Sequence, residues 1–278
     1  MEPRTESAPV EPVGSRFRRR RRRRERRGRP RGFYLLPHLV TTAGLFFGFY
    51  AIVQAFTGDP DRAALGIVLA AVCDALDGRL ARMARSASRF GLEYDSIADI
   101  VSFGVAPAVL AYSAGGLHEL GRTGLVMAFL YVAGAALRLA RFNVTPSRFR
   151  GRFEGMPSPA AAGMVASTQW FVSFLEEHGI ALDVPAPLVA IAAAGLGLLM
   201  VSSIPYRSFK ELDLRHSYGT LVIVVFAVAL VIQEPSLTLF AIGLAYVLSG
   251  PVEWLWRWFT RRPLEEVHEP LAQESAQG

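Results

Sequence analysis

The sequence predicts an all-α integral membrane protein of about eight transmembrane helices, and three observations predict it. Apolar residues make up 51% of the 278 positions, they gather into recurrent windows of near-spanning length, and the basic residues collect on alternate connections between those windows. A helix needs about 20 predominantly apolar residues to cross the hydrocarbon. Windows that approach or meet this length lie at 34–56, 63–83, 97–114, 124–139, 156–175, 185–204, 219–232 and 237–258, the fourth and seventh being short.

Charge gives an independent test, because short cytoplasmic loops collect Lys and Arg. With the N-terminus inside and eight crossings, the cytoplasmic side receives Arg79, Arg82, Arg85 and Arg89, the basic residues of 138–152, then Arg207, Lys210 and Arg215, and finally Arg257, Arg261 and Arg262. Only Arg62 and Arg122 of the 30 basic residues fall outside. Removing any one interior crossing destroys that asymmetry. The expectation is therefore a multi-pass protein of the cell (inner) membrane with both termini cytoplasmic.

Three regions follow. Residues 1–33 form an arm whose stretch from Arg16 to Arg31 holds twelve arginines and one glutamate, a composition that buries no core. Its position directly before a spanning segment favours anionic lipid as its partner over nucleic acid, each basic residue being worth about 1 kcal/mol near a charged leaflet. A cleaved signal peptide is disfavoured, because the apolar stretch that follows is too long and has no clear cleavage site. Residues 34–259 are the transmembrane catalytic domain, and 260–278 a polar, acidic tail expected to be disordered.

Cysteine and histidine exclude two kinds of chemistry. Cys73 is the only cysteine, so neither an intrachain disulfide nor a thiolate metal site can form. The five histidines, His38, His118, His178, His216 and His268, show none of the close pairing that zinc sites use.

The polar anomaly lies between Asp74 and Asp99. Asp74, Asp77, Gly78, Ala81, Arg82 and Arg85 fall on one stripe of a helix at about 100° per residue. Gly91, Asp95 and Asp99, then Ser102 and Ala106, form a second stripe after a short turn. One ionised Asp in a spanning helix costs about 2.5–3.5 kcal/mol, so four together need compensation. Arg79 and Arg89 point away from the stripes, which leaves Arg82 and Arg85 for four carboxylates. The surplus negative charge calls for one or two hard divalent cations, Mg or Mn, on oxygen ligands. Carboxylates without His or Cys suit phosphate chemistry. Gly78 and Ala81 leave room for a pyrophosphate to approach the backbone, and Arg82 can neutralise a phosphate oxygen.

Three later segments add polar groups on the same side. Thr41, Thr42 and Gly44 give the first helix a small, polar face that either packs against its neighbours or borders the aspartate site. Arg138 and Arg141 lie three apart near the end of the fourth helix, and arginine suits bidentate recognition of phosphate or carboxylate. Arg141 is explained by cytoplasmic flanking alone; Arg138, a turn deeper among apolar residues, is less so. The fifth helix starts near Met156-Pro157-Ser158-Pro159, and the sixth runs into a polar stretch from Ser202 to Lys210. No internal repeat is evident.

At these residues the sequence resembles the CDP-alcohol phosphotransferase family, whose signature D-x2-D-G-x2-A-R-x8-G-x3-D-x3-D is matched by Asp74, Asp77, Gly78, Ala81, Arg82, Gly91, Asp95 and Asp99. The resemblance implies a core of six helices, with the last two an addition. It also implies that Asp74, Asp77, Asp95 and Asp99 bind two divalent cations, Mg or Mn, and that Asp99 serves as general base. Gly78, Ala81 and Arg82, with Gly91 and Thr41, would hold the CDP-linked lipid while an alcohol displaces CMP by in-line attack.

The segments 36–41, 137–143, 155–159 and 203–210 resemble the phosphatidylserine synthase branch of that family, with His38 standing where the branch usually has Asn. On that likeness the substrates are CDP-diacylglycerol and L-serine. Arg138, Arg141 and Lys210 are the candidates for the acceptor's carboxylate, and a homodimer is implied. Rival readings are an acceptor such as glycerol 3-phosphate or inositol phosphate and, from a different class, a divalent-cation transporter. A transporter would place acidic residues through the membrane depth, whereas here they gather at one level.

Overall fold

The computed structural model describes residues 35–84, 89–144, 152–207, 225–226 and 229–260. The apolar windows fold as helices: α1 (Leu35–Thr57), α2 (Pro60–Ala84), α3 (Arg89–Asp99), a π-helical stretch (Ile100–Val105), α4 (Ala106–Ser113), α5 (Arg122–Val144), α6 (Ser158–Glu177), α7 (Ala186–Val201) and α8 (Pro235–Thr260). α3, the π stretch and α4 run on as one rod. That rod, α1, α5 and α8 are each long and apolar enough to cross a membrane. Large apolar side chains such as Phe46, Phe56, Phe129 and Trp256 are exposed on their outer faces, as is Leu198 on α7, as expected where the solvent is lipid. The chain is thus an all-α membrane protein, as expected from sequence. The seventh expected span, 219–232, falls mostly outside the described residues, as do the arm 1–33, the tail beyond Thr260, Arg85 and Lys210.

Small residues bring the helices together. Without a hydrophobic drive between helices in lipid, close packing at small side chains supplies the association energy. A Cβ on Gly66 would lie 2.9 Å from the Phe47 carbonyl oxygen, and one on Gly197 would lie 2.7 Å from that of Leu130. Gly48 sits against Ser102 with equally little space. Ala51, Ala55, Ala63, Ala64 and Ala70 bury the α1–α2 contact, and Ile67, Phe103 and Leu110 join it to the third rod.

The connections are local devices. Gly58, at φ +82°, ends α1, and the Asp59 carboxylate accepts the Arg62 N–H at 3.1 Å to start α2. Pro107 explains the π stretch: it has no N–H to give, and the Ala106 N–H reaches back five residues to the Val101 carbonyl. The widened turn seats Ser102 on α1, where its hydroxyl donates to the Gly44 carbonyl at 3.2 Å.

Two three-residue strands are the only sheet among the described residues. β1 (Arg152–Glu154) runs antiparallel to β2 (Pro205–Arg207), pairing Phe153 with Tyr206. They close the same end of the bundle as the aspartates. Hydropathy windows do not detect so short a ladder, and its segments read as loop and helix start in the sequence.

Candidate active site

The third rod begins at Arg89, eight residues before its apolar window, so Asp95 and Asp99 stand on the same helix as the spanning segment. They lie one turn apart on α3, and Asp74 meets them from α2. Oxygen atoms of Asp74, Asp95 and Asp99 all approach within 4.8 Å of one another. Asp77, 5% exposed, completes the group from a turn further along α2. It accepts the Thr41 hydroxyl of α1 and its neighbour's Gly78 N–H. Four carboxylates from two helices therefore share one pocket, with α1 as its back wall.

Charge this dense in a helix bundle needs a cation, and the donor set fits one. Mg and Mn take carboxylate oxygens in near-octahedral arrangements and keep open positions for phosphate. The motif positions around the carboxylates leave room beside α2. A Cβ on Gly78 would meet nothing within 4 Å except the Arg82 Nη1 at 3.7 Å. Gly48, Gly66 and Gly197 are small because another helix presses on them; Gly78 faces open space beside an exposed arginine. Ala81 lies between them on α2, and Gly91 stands one turn before Asp95 on α3.

The α1 edge is tied down beside this pocket. Thr42 donates to the His38 carbonyl at 2.7 Å and its hydroxyl lies 2.9 Å from the Tyr94 hydroxyl. Tyr94 stacks on Phe90, which meets the His38 ring edge-on at 5.9 Å. On the other flank Asn143 of α5 donates to Ser96 of α3 at 2.9 Å.

The two arginines of α5 have different surroundings. Arg141 donates to Glu154 at 3.0 Å and to the carbonyls of Val201 and Ser202. It pins the ends of α5, β1 and α7 together. Arg138 is deeper. Its Nη1 donates to Ser158 at 3.1 Å, its Nε is buried without a partner among the described residues, and its charge is felt by Asp99 and Tyr246. Ser158 and Tyr246 were not legible as neighbours of Arg138: Ser158 reads as a helix start and Tyr246 as one more aromatic in an apolar span. Lys210 is outside the described residues.

The model of the CDP-alcohol phosphatidyltransferase family matches residues 34–199, which hold the whole aspartate motif and both arginines. The chain belongs to that family.

Its relatives narrow the comparison. A Helicobacter pylori (strain ATCC 700392 / 26695) protein named CDP-diacylglycerol–serine O-phosphatidyltransferase is 35% identical over 226 residues, 80% of this chain and 92% of that protein. Proteins of the same name from Mycobacterium tuberculosis (strain H37Rv) and Bacillus subtilis (strain 168) are 31% and 34% identical. The former alignment takes in 85% of this chain and 86% of the relative, the latter 63% and 92%. As a CDP-alcohol phosphatidyltransferase the chain is a membrane enzyme of phospholipid synthesis, and its acidic cluster suits the family's need for a metal.

Proposed function

We propose that this protein transfers the phosphatidyl group of CDP-diacylglycerol to the hydroxyl of L-serine, giving phosphatidylserine and CMP. The observation that carries the acceptor is Arg138, half-buried, whose buried Nε has no partner among the described residues and whose charge is felt by Asp99. The serine-transferase names of the relatives support the same reading.

In this reading Asp74, Asp77, Asp95 and Asp99 hold two divalent cations, Mg or Mn. When bound, these supply Lewis-acid stabilisation of the phosphoryl oxygens and of the departing CMP. Gly78 and Ala81 let the pyrophosphate lie along α2, Arg82 pairs with a phosphate oxygen, and Thr41 and Gly91 border the nucleotide. Asp99 takes the proton of the serine hydroxyl as its oxygen bonds to phosphorus, and the bond from phosphorus to the CMP oxygen breaks. Arg138 pairs with the serine carboxylate and turns the hydroxyl toward Asp99. Arg141 adds to the basic surroundings chiefly by holding the pocket's end together, and Lys210, outside the described residues, stays a candidate for the acceptor on sequence alone.

The acyl chains stay in the bilayer while the nucleotide enters from the cytosol, in keeping with a multi-pass inner-membrane protein whose termini are cytoplasmic. We further propose that the Arg-rich arm rests on anionic lipid and that the working unit is a homodimer.

The test is CMP release by purified protein with CDP-diacylglycerol, Mn or Mg, and each acceptor in turn. Release should depend on both serine and the divalent cation and fall to background with a chelator. Release that ignores serine, or that responds better to glycerol 3-phosphate or inositol phosphate, sinks the serine assignment. Cation flux into vesicles without CMP release favours the transporter reading instead.

A further inference from the structure

Arg138 is an unfinished site. A guanidinium has five N–H donors in a fixed fork; Ser158 takes one at 3.1 Å, and the buried Nε has no partner among the described residues. Leaving a buried charged donor unpaired is costly, which points to a ligand supplying what the protein does not. Two groups flank the guanidinium electrostatically from different elements, Asp99 of α3 and Tyr246 of α8. Arg141, also within reach of its field, is occupied by Glu154.

The place of Tyr246 is fixed by the packing of α8. Tyr206 of β2, fully buried, donates its hydroxyl to the Val247 carbonyl at 3.0 Å. Its ring lies 5.5 Å from that of Tyr246, and Gly250 sits so close to it that any side chain there would collide. β2 is paired to β1, whose Glu154 holds Arg141 at the end of α5. One chain of contacts, α5 to β1 to β2 to α8, thus fixes the helix that carries Tyr246 relative to the helix that carries Arg138. On the far side Phe240 stacks on Phe171 of α6 at 4.3 Å.

We infer that Tyr246 is a specificity-determining residue for the acceptor, its phenol hydroxyl joining Arg138 and Ser158 in binding the acceptor's carboxylate. This deepens the serine-transfer reading and rests on it. The selectivity comes from charge. One available guanidinium with two neutral hydroxyls matches a monoanionic carboxylate. A phosphate dianion would turn its second charge toward a phenol where it needs a cation.

The position along the chain agrees. The family match ends at residue 199, before β2 and α8. The likeness to the Helicobacter pylori serine transferase spans 80% of the chain, which is more than residues 1–199 can hold, so it runs on past the family core. The core shared by the family carries phosphoryl transfer, and the added helix reads the alcohol.

The experiment is steady-state CMP release by the full-length protein with Tyr246→Phe, varying serine and CDP-diacylglycerol separately. Removing one hydroxyl that binds the acceptor should raise the serine KM about tenfold, with kcat and the CDP-diacylglycerol KM within about twofold of wild type. Turnover of glycerol 3-phosphate should not fall, so preference for serine narrows by the same factor. Tyr206→Phe, which loses only the tether to Val247, should raise the serine KM about threefold. An unchanged serine KM in Tyr246→Phe overturns the inference, and so does an equal change in kcat and both KM values, the mark of a structural role. If Tyr246→Phe fails to fold, the Tyr206→Phe result decides by the same criteria. The two readings fail separately: wild-type enzyme indifferent to serine refutes the acceptor, whereas serine-dependent wild type with an indifferent Tyr246→Phe refutes only the role of α8.

Discussion

Arg138 and Arg141 stand three residues apart near the end of one helix, yet they belong to different regions of the molecule. Arg141 sits in a knot of α5, β1 and α7 where Glu154 and two backbone carbonyls accept from it. Arg138 faces the aspartate pocket with one neutral partner and, among the described residues, none for its Nε. The knot is self-sufficient and the pocket is not. A fold that satisfies one cation completely and leaves its neighbour short within a single turn has separated holding the end of the bundle from binding something there.

The most damaging change should be Asp99→Asn, which keeps the shape and removes the proton acceptor. CMP release with serine should drop by about 10²–10⁴-fold, while CDP-diacylglycerol binding, read by protection against thermal unfolding, survives in part. Unaltered turnover removes Asp99 from the role of base and weakens the pocket side of the contrast.

Next comes the arginine pair itself. Arg138→Lys keeps the charge but loses the fork, and should cost about 10–100-fold in kcat/KM for serine with little change in thermal stability. Arg141→Lys should do the reverse. It gives up hydrogen bonds in a half-exposed ion pair, destabilising the protein by about 1–2 kcal/mol and altering serine kcat/KM by less than about threefold. If the two variants lose activity and stability in parallel, the division between knot and pocket fails.

Part of this contrast was written in the sequence. The aspartate spacing, Gly78 and Arg82 are a local pattern on two helices, and a helical period carries such a pattern directly into space; the convergence of Asp74, Asp95 and Asp99 follows from it. The greater depth of Arg138 relative to Arg141 was also legible, because the residues before it are apolar. Three things were not. The π stretch depends on how the helix accommodates Pro107, and hydropathy does not register a change of hydrogen-bond register. The β1–β2 ladder joins segments about fifty residues apart through three pairs, too few for an alternating pattern to stand out. Ser158 and Tyr246 reach Arg138 only by tertiary packing, and a serine at a helix start or a tyrosine in an apolar span carries no mark of its neighbours. The start of the third rod shows in the helical stripe of Gly91, Asp95 and Asp99 but not in the apolar window, which opens only at 97: the carboxylates that make the site also lower the hydropathy of the helix that holds it.

The smallest effect tests how far the pocket extends into α1. Thr41 and Thr42 are adjacent, but Thr41 is buried and donates to Asp77, whereas the exposed Thr42 hydroxyl serves the His38 carbonyl and Tyr94. Valine has nearly the shape of threonine without the hydroxyl, so each substitution removes that hydroxyl's hydrogen bonds and little else. Thr41→Val leaves a buried carboxylate short of a partner, a loss of about 1 kcal/mol or about fivefold. It should appear as a higher Mn requirement for CMP release, since Asp77 would be less firmly aimed. Thr42→Val should change that requirement by less than about twofold, because water replaces an exposed partner at little cost. Equal responses from the two would mean that α1 serves the pocket only as a wall, with Asp77 positioned by α2 alone.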